Sequence, residues 1–297
     1  MDLSYRRCEL CERRCLADRE SGEQGLCRMG SEAVIARAAL HMWEEPVISG
    51  ECGSGTIFFS GCSLGCVFCQ NREISRGGRG VSVSEERLAE IMLELRDKGA
   101  HNINLVTPTH FAPTVRGAII KAKTAGLDIP IVYNTSSYDT VETLRSLEGL
   151  VDIYLPDFKY YLPRTAEALS GAHDYPEVAK SAIAEMVRQK GKIILNGGMM
   201  VEGVIVRILL LPSHVAEAKL TLKYLHEAYG DKIYISLMNQ YTPMADMKPP
   251  LDRKVTRTEY YELTDYAERI GVRLGFIQDF GTADESFIPS FDNTGVQ

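Results

Sequence analysis

The chain has 297 residues, of which 45% are hydrophobic and 25% charged, with 33 Lys+Arg against 40 Asp+Glu and a net charge of −7. That composition describes a globular protein long enough to bury a full core without disulfides, and its acidity argues against broad, sequence-independent nucleic-acid binding. No run approaches the roughly 18–20 apolar residues of a membrane span, and Met1–Arg7 lacks an apolar signal core, so the expected compartment is the reducing cytoplasm.

Residues 1–50 read as an irregular, arginine-rich, cysteine-rich metal-binding region. All eight cysteines fall at positions 8, 11, 15, 27, 52, 62, 66 and 69. Clustered thiols in a reducing compartment are metal ligands or redox groups. Cys8, Cys11, Cys15 and Cys27 supply four soft ligands, enough to close a tetrahedral site. Zinc would pin a segment that has no core of its own, whereas an auxiliary iron–sulfur cluster would relay electrons. Cys52 reads as a loop residue, and Trp43 and Met199-Met200 as packing.

From about residue 51 to 285 short apolar runs alternate with amphipathic stretches. Thr56–Phe59 predicts a buried strand. Ser82 with Glu85 predicts a capping box, opening a helix whose buried face is Leu88, Ile91, Met92 and Leu95, ended near Gly99. Strands follow at Ile103–Val106, Ile129–Tyr133, Val151–Leu155, Val204–Leu210, Ile233–Leu237 and Leu274–Ile277. Helices are predicted near 114–125, at Val141–Leu147, and near 176–190, 214–228 and 257–270. Strand–helix alternation with continuous β-branched runs predicts an α/β fold with a parallel sheet covered by helices. A partial (β/α)6 TIM-like barrel and a doubly wound open sheet both satisfy the periodicity. Residues 286–297 read as a tail.

Cys62, Cys66 and Cys69 follow the first strand with the spacing C-x3-C-x2-C. Three thiolates can hold three irons of a cubane, and with no local fourth cysteine one iron stays open to a ligand. Polar groups then recur at the strand ends: Thr107-Pro108-Thr109-His110, Asn134-Thr135, Asp157-Phe158-Lys159, Arg207 and Asn239-Gln240. In a β/α barrel these positions form one mouth, where chemistry collects.

This cysteine loop, with Phe68 before its last cysteine, resembles the radical S-adenosylmethionine (SAM) superfamily. The stretch from Cys8 to Tyr161 is similar to the pyruvate formate-lyase activating enzyme-related group with an extra N-terminal cysteine region. The resemblance implies a [4Fe-4S] cluster on Cys62, Cys66 and Cys69, with SAM on the open iron. It implies reductive cleavage of SAM to a 5′-deoxyadenosyl radical, with ferredoxin or flavodoxin as electron donor. A glycyl radical enzyme, another peptide or a small molecule would be the substrate. Asp157 and Lys159 match the D-x-K motif of the activases, in which the Lys contacts the SAM carboxylate. Asn134-Thr135 stands where those enzymes have Asp-Thr, and Thr107 and Thr109 where many relatives have Gly-Gly-Glu. Arg207 is a candidate carboxylate clamp or equally a structural salt-bridge partner, Lys159 is a candidate catalytic group, and His110 is either a catalytic group or a satisfied structural histidine. A metal-stabilised binding module without SAM chemistry and a two-cluster electron carrier are the competing classes.

Overall fold

In the computed structural model, which describes residues 3–279 and 289–297, the chain enters the sheet earlier than its sequence suggests. Strand β1 (Ala33–His41) is followed by a single helical turn, α1 (Pro46–Ser49), and by β2 (Ser54–Phe59). β1 pairs antiparallel with β2, from Ile35 opposite Phe59 to His41 opposite Ser54. Nine residues of the region expected to be irregular are therefore edge sheet. Another turn, α2 (Arg72–Ser75), leads to β3 (Val81–Val83), which is antiparallel to β1.

Helix α3 (Glu85–Asp97) buries the predicted Leu88, Ile91, Met92 and Leu95. Its cap differs from expectation. Ser84, with extended backbone, accepts from the Arg87 amide, whereas Ser82 sits inside β3 opposite Val34. A residue committed to a strand ladder cannot also cap the helix beyond it.

The winding then repeats: β4 (Ile103–Val106), α4 (Ala112–Thr124), β5 (Ile131–Thr135), α5 (Val141–Ser146), β6 (Ile153–Pro156), α6 (Pro163–Ser170) and α7 (Tyr175–Lys190). Next come a hairpin of β7 (Ile194–Asn196) with β8 (Met199–Leu209), then α8 (Val215–Tyr229), β9 (Tyr234–Met238), α9 (Arg257–Ile270) and β10 (Gly275–Ile277). α9 opens on a true capping box, Thr256 with Glu259.

The path through the sheet runs β10-β9-β8-β6-β5-β4-β2-β1-β3, and every pair from β2 to β10 is parallel. Among the parallel strands the order never reverses, so there is no switch point of the kind a doubly wound sheet uses. This is a partial TIM-like barrel of six β/α units with β10 as a seventh parallel strand. Like that of any such barrel, its mouth is the carboxyl end of the parallel strands.

The boundary expected between residues 285 and 286 lies outside the described residues. Beyond it, the segment 289–297 packs rather than trails. The Asn293 amide donates to the Ala36 carbonyl and the Ala38 amide to that of Thr294. Phe291 meets Phe58 edge-on at 5.5 Å.

Candidate active site

β2 ends at Phe59, and Ser60-Gly61 turn the chain into the cysteine loop. Gly61 (φ +82) has no room for a side chain: a Cβ there would strike Met29 and stand 2.8 Å from the Cys27 carbonyl. Gly65 (φ +65) makes the second turn, and the Arg76 guanidinium donates to its carbonyl. With these turns Cys62, Cys66 and Cys69 border one cavity of about 230 Å³ at the mouth.

The thiols are close enough to act on one another. Burial, then the Cys66 charge, pushes the Cys62 thiol up. Burial, then Cys62 and Cys66, pushes Cys69 up to about 11. Opposing this are donors and a cation. The Leu64 amide lies 3.4 Å from Cys62 Sγ, the Ser75 hydroxyl 3.4 Å from Cys69 Sγ, and the Lys159 ammonium lowers both thiols. Three converging soft ligands with N–H and O–H donors behind them, and a cation beside them, fit three corners of an iron–sulfur cluster. Phe68 packs edge-on against Tyr160 and Tyr241 at 6.2 and 6.1 Å, holding the loop to the barrel.

The strand ends bring Thr107, Asn134, Thr135, Asp157, Lys159 and Arg207 to the same cavity. Lys159 Nζ donates to Asp157 Oδ2 at 2.6 Å. Arg207 Nε donates to Asp157 Oδ1 at 2.8 Å, Nη2 to Asn134 Oδ1 at 2.6 Å and Nη1 to Glu44 Oε2 at 3.1 Å. Burial alone would push the Asp157 carboxyl up, but the Arg207 and Lys159 charges hold it below the ordinary value. Glu44 goes the other way: burial outweighs the Arg207 charge and raises it.

Four expectations need correction. Arg207 is not a free clamp, because its nitrogens are engaged by Glu44, Asp157 and Asn134. His110 does not reach the cavity. After Thr107, which adopts a left-handed φ of +59, the chain enters a short 3-10 turn (Thr109–Phe111) that carries the imidazole behind the cysteine loop. There Nε2 lies 2.7 Å from the Ser60 carbonyl, and burial holds the ring's pKa down at about 3. Thr109 likewise turns inward and donates to Asp139 Oδ1 at 2.7 Å. Trp43, expected as packing, is 58% exposed at the cavity rim.

The site also holds residues that sequence reasoning missed. Glu44 and Glu45 arrive on the connection from β1, which passes beneath the strands. Asn104 Nδ2 donates to Glu44 Oε1 at 2.9 Å. Asp139 collects the hydroxyls of Thr135 (2.6 Å), Thr109 (2.7 Å) and Tyr133 (3.0 Å). The only sequence signal for the glutamates is two consecutive acids ahead of a proline, which ordinarily marks a solvated turn.

A family model, the Radical SAM superfamily, matches residues 56–212. "Uncharacterized protein MJ0674" of Methanocaldococcus jannaschii is 30% identical over 281 residues, covering 91% of this chain and 77% of that protein. Among solved structures, Streptococcus suis SuiB bound to S-adenosylmethionine superposes with a TM-score of 0.51 at 15% identity, over 74% of this chain and 49% of SuiB. A radical SAM methyltransferase from Sphaerobacter thermophilus gives 0.53 at 15% identity, over 76% of this chain and 66% of the methyltransferase. The chain thus spans about half the length of SuiB, and at these identities the likeness is one of fold.

Proposed function

The chain belongs to the radical SAM superfamily, and from that premise we propose that it is a SAM-cleaving enzyme whose reaction centre is the cavity between the cysteine loop and Asp157-Lys159-Arg207. Family membership implies a [4Fe-4S] cluster and SAM. When bound and reduced by one electron, they supply a 5′-deoxyadenosyl radical that takes a hydrogen atom from a substrate. In this reading Cys62, Cys66 and Cys69 ligate three irons and leave the fourth to SAM.

The observation that carries the proposal is Lys159. Its charge acts on the thiols of Cys62 and Cys69, and that of Cys66 acts on it, while Asp157 holds it from behind. The ammonium is thereby fixed beside the cluster ligands, where an amino-acid carboxylate bound to the open iron would need a partner. Arg207 holds Asp157 in turn, and Glu44 holds Arg207. Thr107, Asn134 and Thr135 supply polar atoms along the wall.

Anaerobic reconstitution with iron and sulfide, followed by SAM and dithionite, should give 5′-deoxyadenosine. Cys66→Ala should give none. Lys159→Ala should keep the cluster yet bind SAM roughly tenfold more weakly, the loss of one charge-assisted hydrogen bond. Unchanged SAM affinity in Lys159→Ala would remove that assignment.

The finer reading follows the D-x-K motif. The protein would act as an activase-like enzyme on a glycyl radical enzyme or another peptide, drawing electrons from ferredoxin or flavodoxin in the cytoplasm. One observation favours a small molecule instead. Below Arg207, Glu45 Oε2 and Asn104 Oδ1 are buried acceptors without a hydrogen-bond partner among the described residues, which suits a ligand carrying N–H or O–H donors. The dialysable fraction of a cell extract should then raise 5′-deoxyadenosine formation. The activase reading expects the retained protein fraction to do so.

A further inference from the structure

The segment 3–32 has neither helix nor strand. Its own buried apolar cluster is Tyr5, Cys8 and Leu10, with Leu3 and Cys15 packed against it. Such a core is too small to offset ordering some thirty residues at about 1–2 kcal/mol each. The backbone is nevertheless tightly folded. The Cys8 amide donates to the Ala17 carbonyl and the Leu16 amide to that of Cys8, both at 3.1 Å. Arg14, Leu16 and Arg28 hold left-handed φ values of +40, +58 and +62, each strained for a side chain with a Cβ. Something beyond apolar burial holds this lobe.

Its four thiols converge. Cys8, Cys11 and Cys27 are buried and Cys15 half-buried, all as free thiols. The Cys15 sulfur packs on the backbone of Gly25, where a Cβ would collide with it. Tight turns shape the chain at both ends of the set: the Arg14 amide donates to the Cys11 carbonyl at 3.0 Å, and the Arg28 amide, next to Cys27, to the Gly25 carbonyl at 2.9 Å.

Arg19 supplies the missing sign of charge. It is 1% exposed, and its nitrogens meet the carbonyls of Met29, Gly30 and His110 and, at 3.6 Å, the Cys8 sulfur. Among the described residues it has no ion pair with a carboxylate. A buried guanidinium without an anion is costly, and thiolates are the one anion this neighbourhood provides. As uncoordinated thiols, no three cysteines among the described residues stand at single-ion spacing. That is equally true of Cys62, Cys66 and Cys69, so such spacing does not separate ligands from bystanders.

The lobe also grips the cysteine loop of the reaction centre. Arg13, between Cys11 and Cys15, donates from Nε to the Ser63 carbonyl at 2.9 Å and from Nη2 to that of Leu64 at 3.1 Å. Its guanidinium lies over the Tyr138 ring at 5.1 Å. On the other side Arg19 holds the His110 carbonyl and His110 holds Ser60, while Cys27 and Met29 close on Gly61. The segment Ser60–Leu64, which contains Cys62, is clasped from both ends.

We propose that Cys8, Cys11, Cys15 and Cys27 bind one thiophilic divalent ion, zinc in its chemistry, and that this closed tetrathiolate site braces the catalytic cysteine loop through Arg13 and Arg19. Four sulfurs complete a tetrahedral shell without an open position, and the close fit of Cys15 on Gly25 suits a single ion rather than a cubane. The two net negative charges of such a site would face the neighbouring arginines. The ion-binding half stands on this lobe alone. The bracing half rests on the proposed function, in which Cys62 is a cluster ligand.

The two halves separate experimentally. A Cys62/Cys66/Cys69→Ala triple variant, purified without added metal, should hold one zinc per chain and no iron. Zinc should disappear in Cys11→Ser. Where Cys11→Ser fails to fold, cobalt(II) exchanged into the triple variant should show the intense visible bands of a tetrahedral tetrathiolate. No metal in the triple variant, iron with sulfide, or cobalt bands of an octahedral oxygen site would each overturn the assignment.

For the brace, Arg13→Ala should keep its zinc but bind the reconstituted cluster about tenfold more weakly, as when an outer-shell partner of a metal site is lost. It should also shift the electron paramagnetic resonance signal of the reduced cluster, and Arg13→Lys should restore part of both. Full zinc with unchanged cluster affinity and spectrum in Arg13→Ala would refute the brace. A wild-type chain that takes up no iron–sulfur cluster would refute the proposed function, leaving the zinc measurement to stand or fall by itself.

Discussion

Replacing Arg207 with Met removes the centre of the charge network beneath the cavity. The side chains of Arg207, Glu44 and Asp157 are 13%, 10% and 16% exposed, so solvent screens them little. Asp157 keeps Lys159 at 2.6 Å, but Glu44 loses its only cation among the described residues and keeps the amides of Asn104 and Asn134. Breaking a buried pair from one side costs about 3–5 kcal/mol, and the stranded charge here is Glu44. Apoprotein of Arg207→Met should therefore lose about 3–5 kcal/mol in urea denaturation at pH 8. Burial already raises the Glu44 carboxyl, and losing Arg207 raises it further. A carboxyl raised in the folded state binds a proton there that the unfolded chain releases. Its contribution is complete below the ordinary carboxylate range and fades as pH rises through the folded value. The deficit of the variant should accordingly shrink as pH falls from 8 toward 5. Adding Glu44→Gln should recover more than half of it at pH 8, as a coupled pair requires. Additive losses in the double variant, or a deficit independent of pH, would refute the account of Glu44 as a buried anion held by Arg207.

Burial keeps His110 neutral down to about pH 3, so between 6.5 and that value the unfolded chain binds the extra proton. Stability should fall by about 1.4 kcal/mol per pH unit across this window from His110 alone, and His110→Gln should flatten the slope. An undiminished slope would place the acid sensitivity elsewhere. Gly61→Ala meets Met29 and the Cys27 carbonyl as well as an unfavourable φ, and should cost about 2–4 kcal/mol. Gly22→Ala has φ +95 but nothing within 4 Å and should cost only about 1–2 kcal/mol. Equal costs would mean that crowding at Gly61 is not real. Ser84→Ala should lose about 1 kcal/mol as a cap, and Ser82→Ala a few tenths at most. The reverse order would reinstate Ser82.

Most of the parallel strands were legible because they are short runs rich in apolar residues and buried on both faces, a pattern that surface segments do not imitate; β10, three residues long and largely exposed, is the exception. β1 was not, because Ala33-Val34-Ile35-Ala36-Arg37-Ala38-Ala39-Leu40-His41 is alanine-rich and interrupted by an arginine. Its small residues have a structural use: the segment at Asn293–Gly295 runs against Ala36 and Ala38, and a Cβ on Gly295 would strike the Ala38 carbonyl. Polar residues at strand ends were legible as a group, since a barrel delivers them to one mouth whatever they bind.

Direction and company were not legible at single positions. Thr107 takes a left-handed φ, so the two residues after Pro108 face inward to Asp139 and to Ser60 instead of toward the cavity. Arg207 invited assignment as a ligand clamp because a lone arginine in a pocket wall ordinarily needs an anion. Its anions are Asp157, on the neighbouring strand end, and Glu44, on a connection from an antiparallel edge strand that the strand–helix rhythm does not reveal. The same need for a countercharge separates the two buried arginines of this protein. Arg207 is neutralised by carboxylates already in place, whereas Arg19 faces carbonyls and a cysteine sulfur. Arg19 also lies over the rings of Tyr5 and Phe111 at 4.7 and 5.4 Å, but it lacks a full countercharge among the described residues. A thiolate at Cys8 would supply one, and thiolate is the form a bound metal ion imposes.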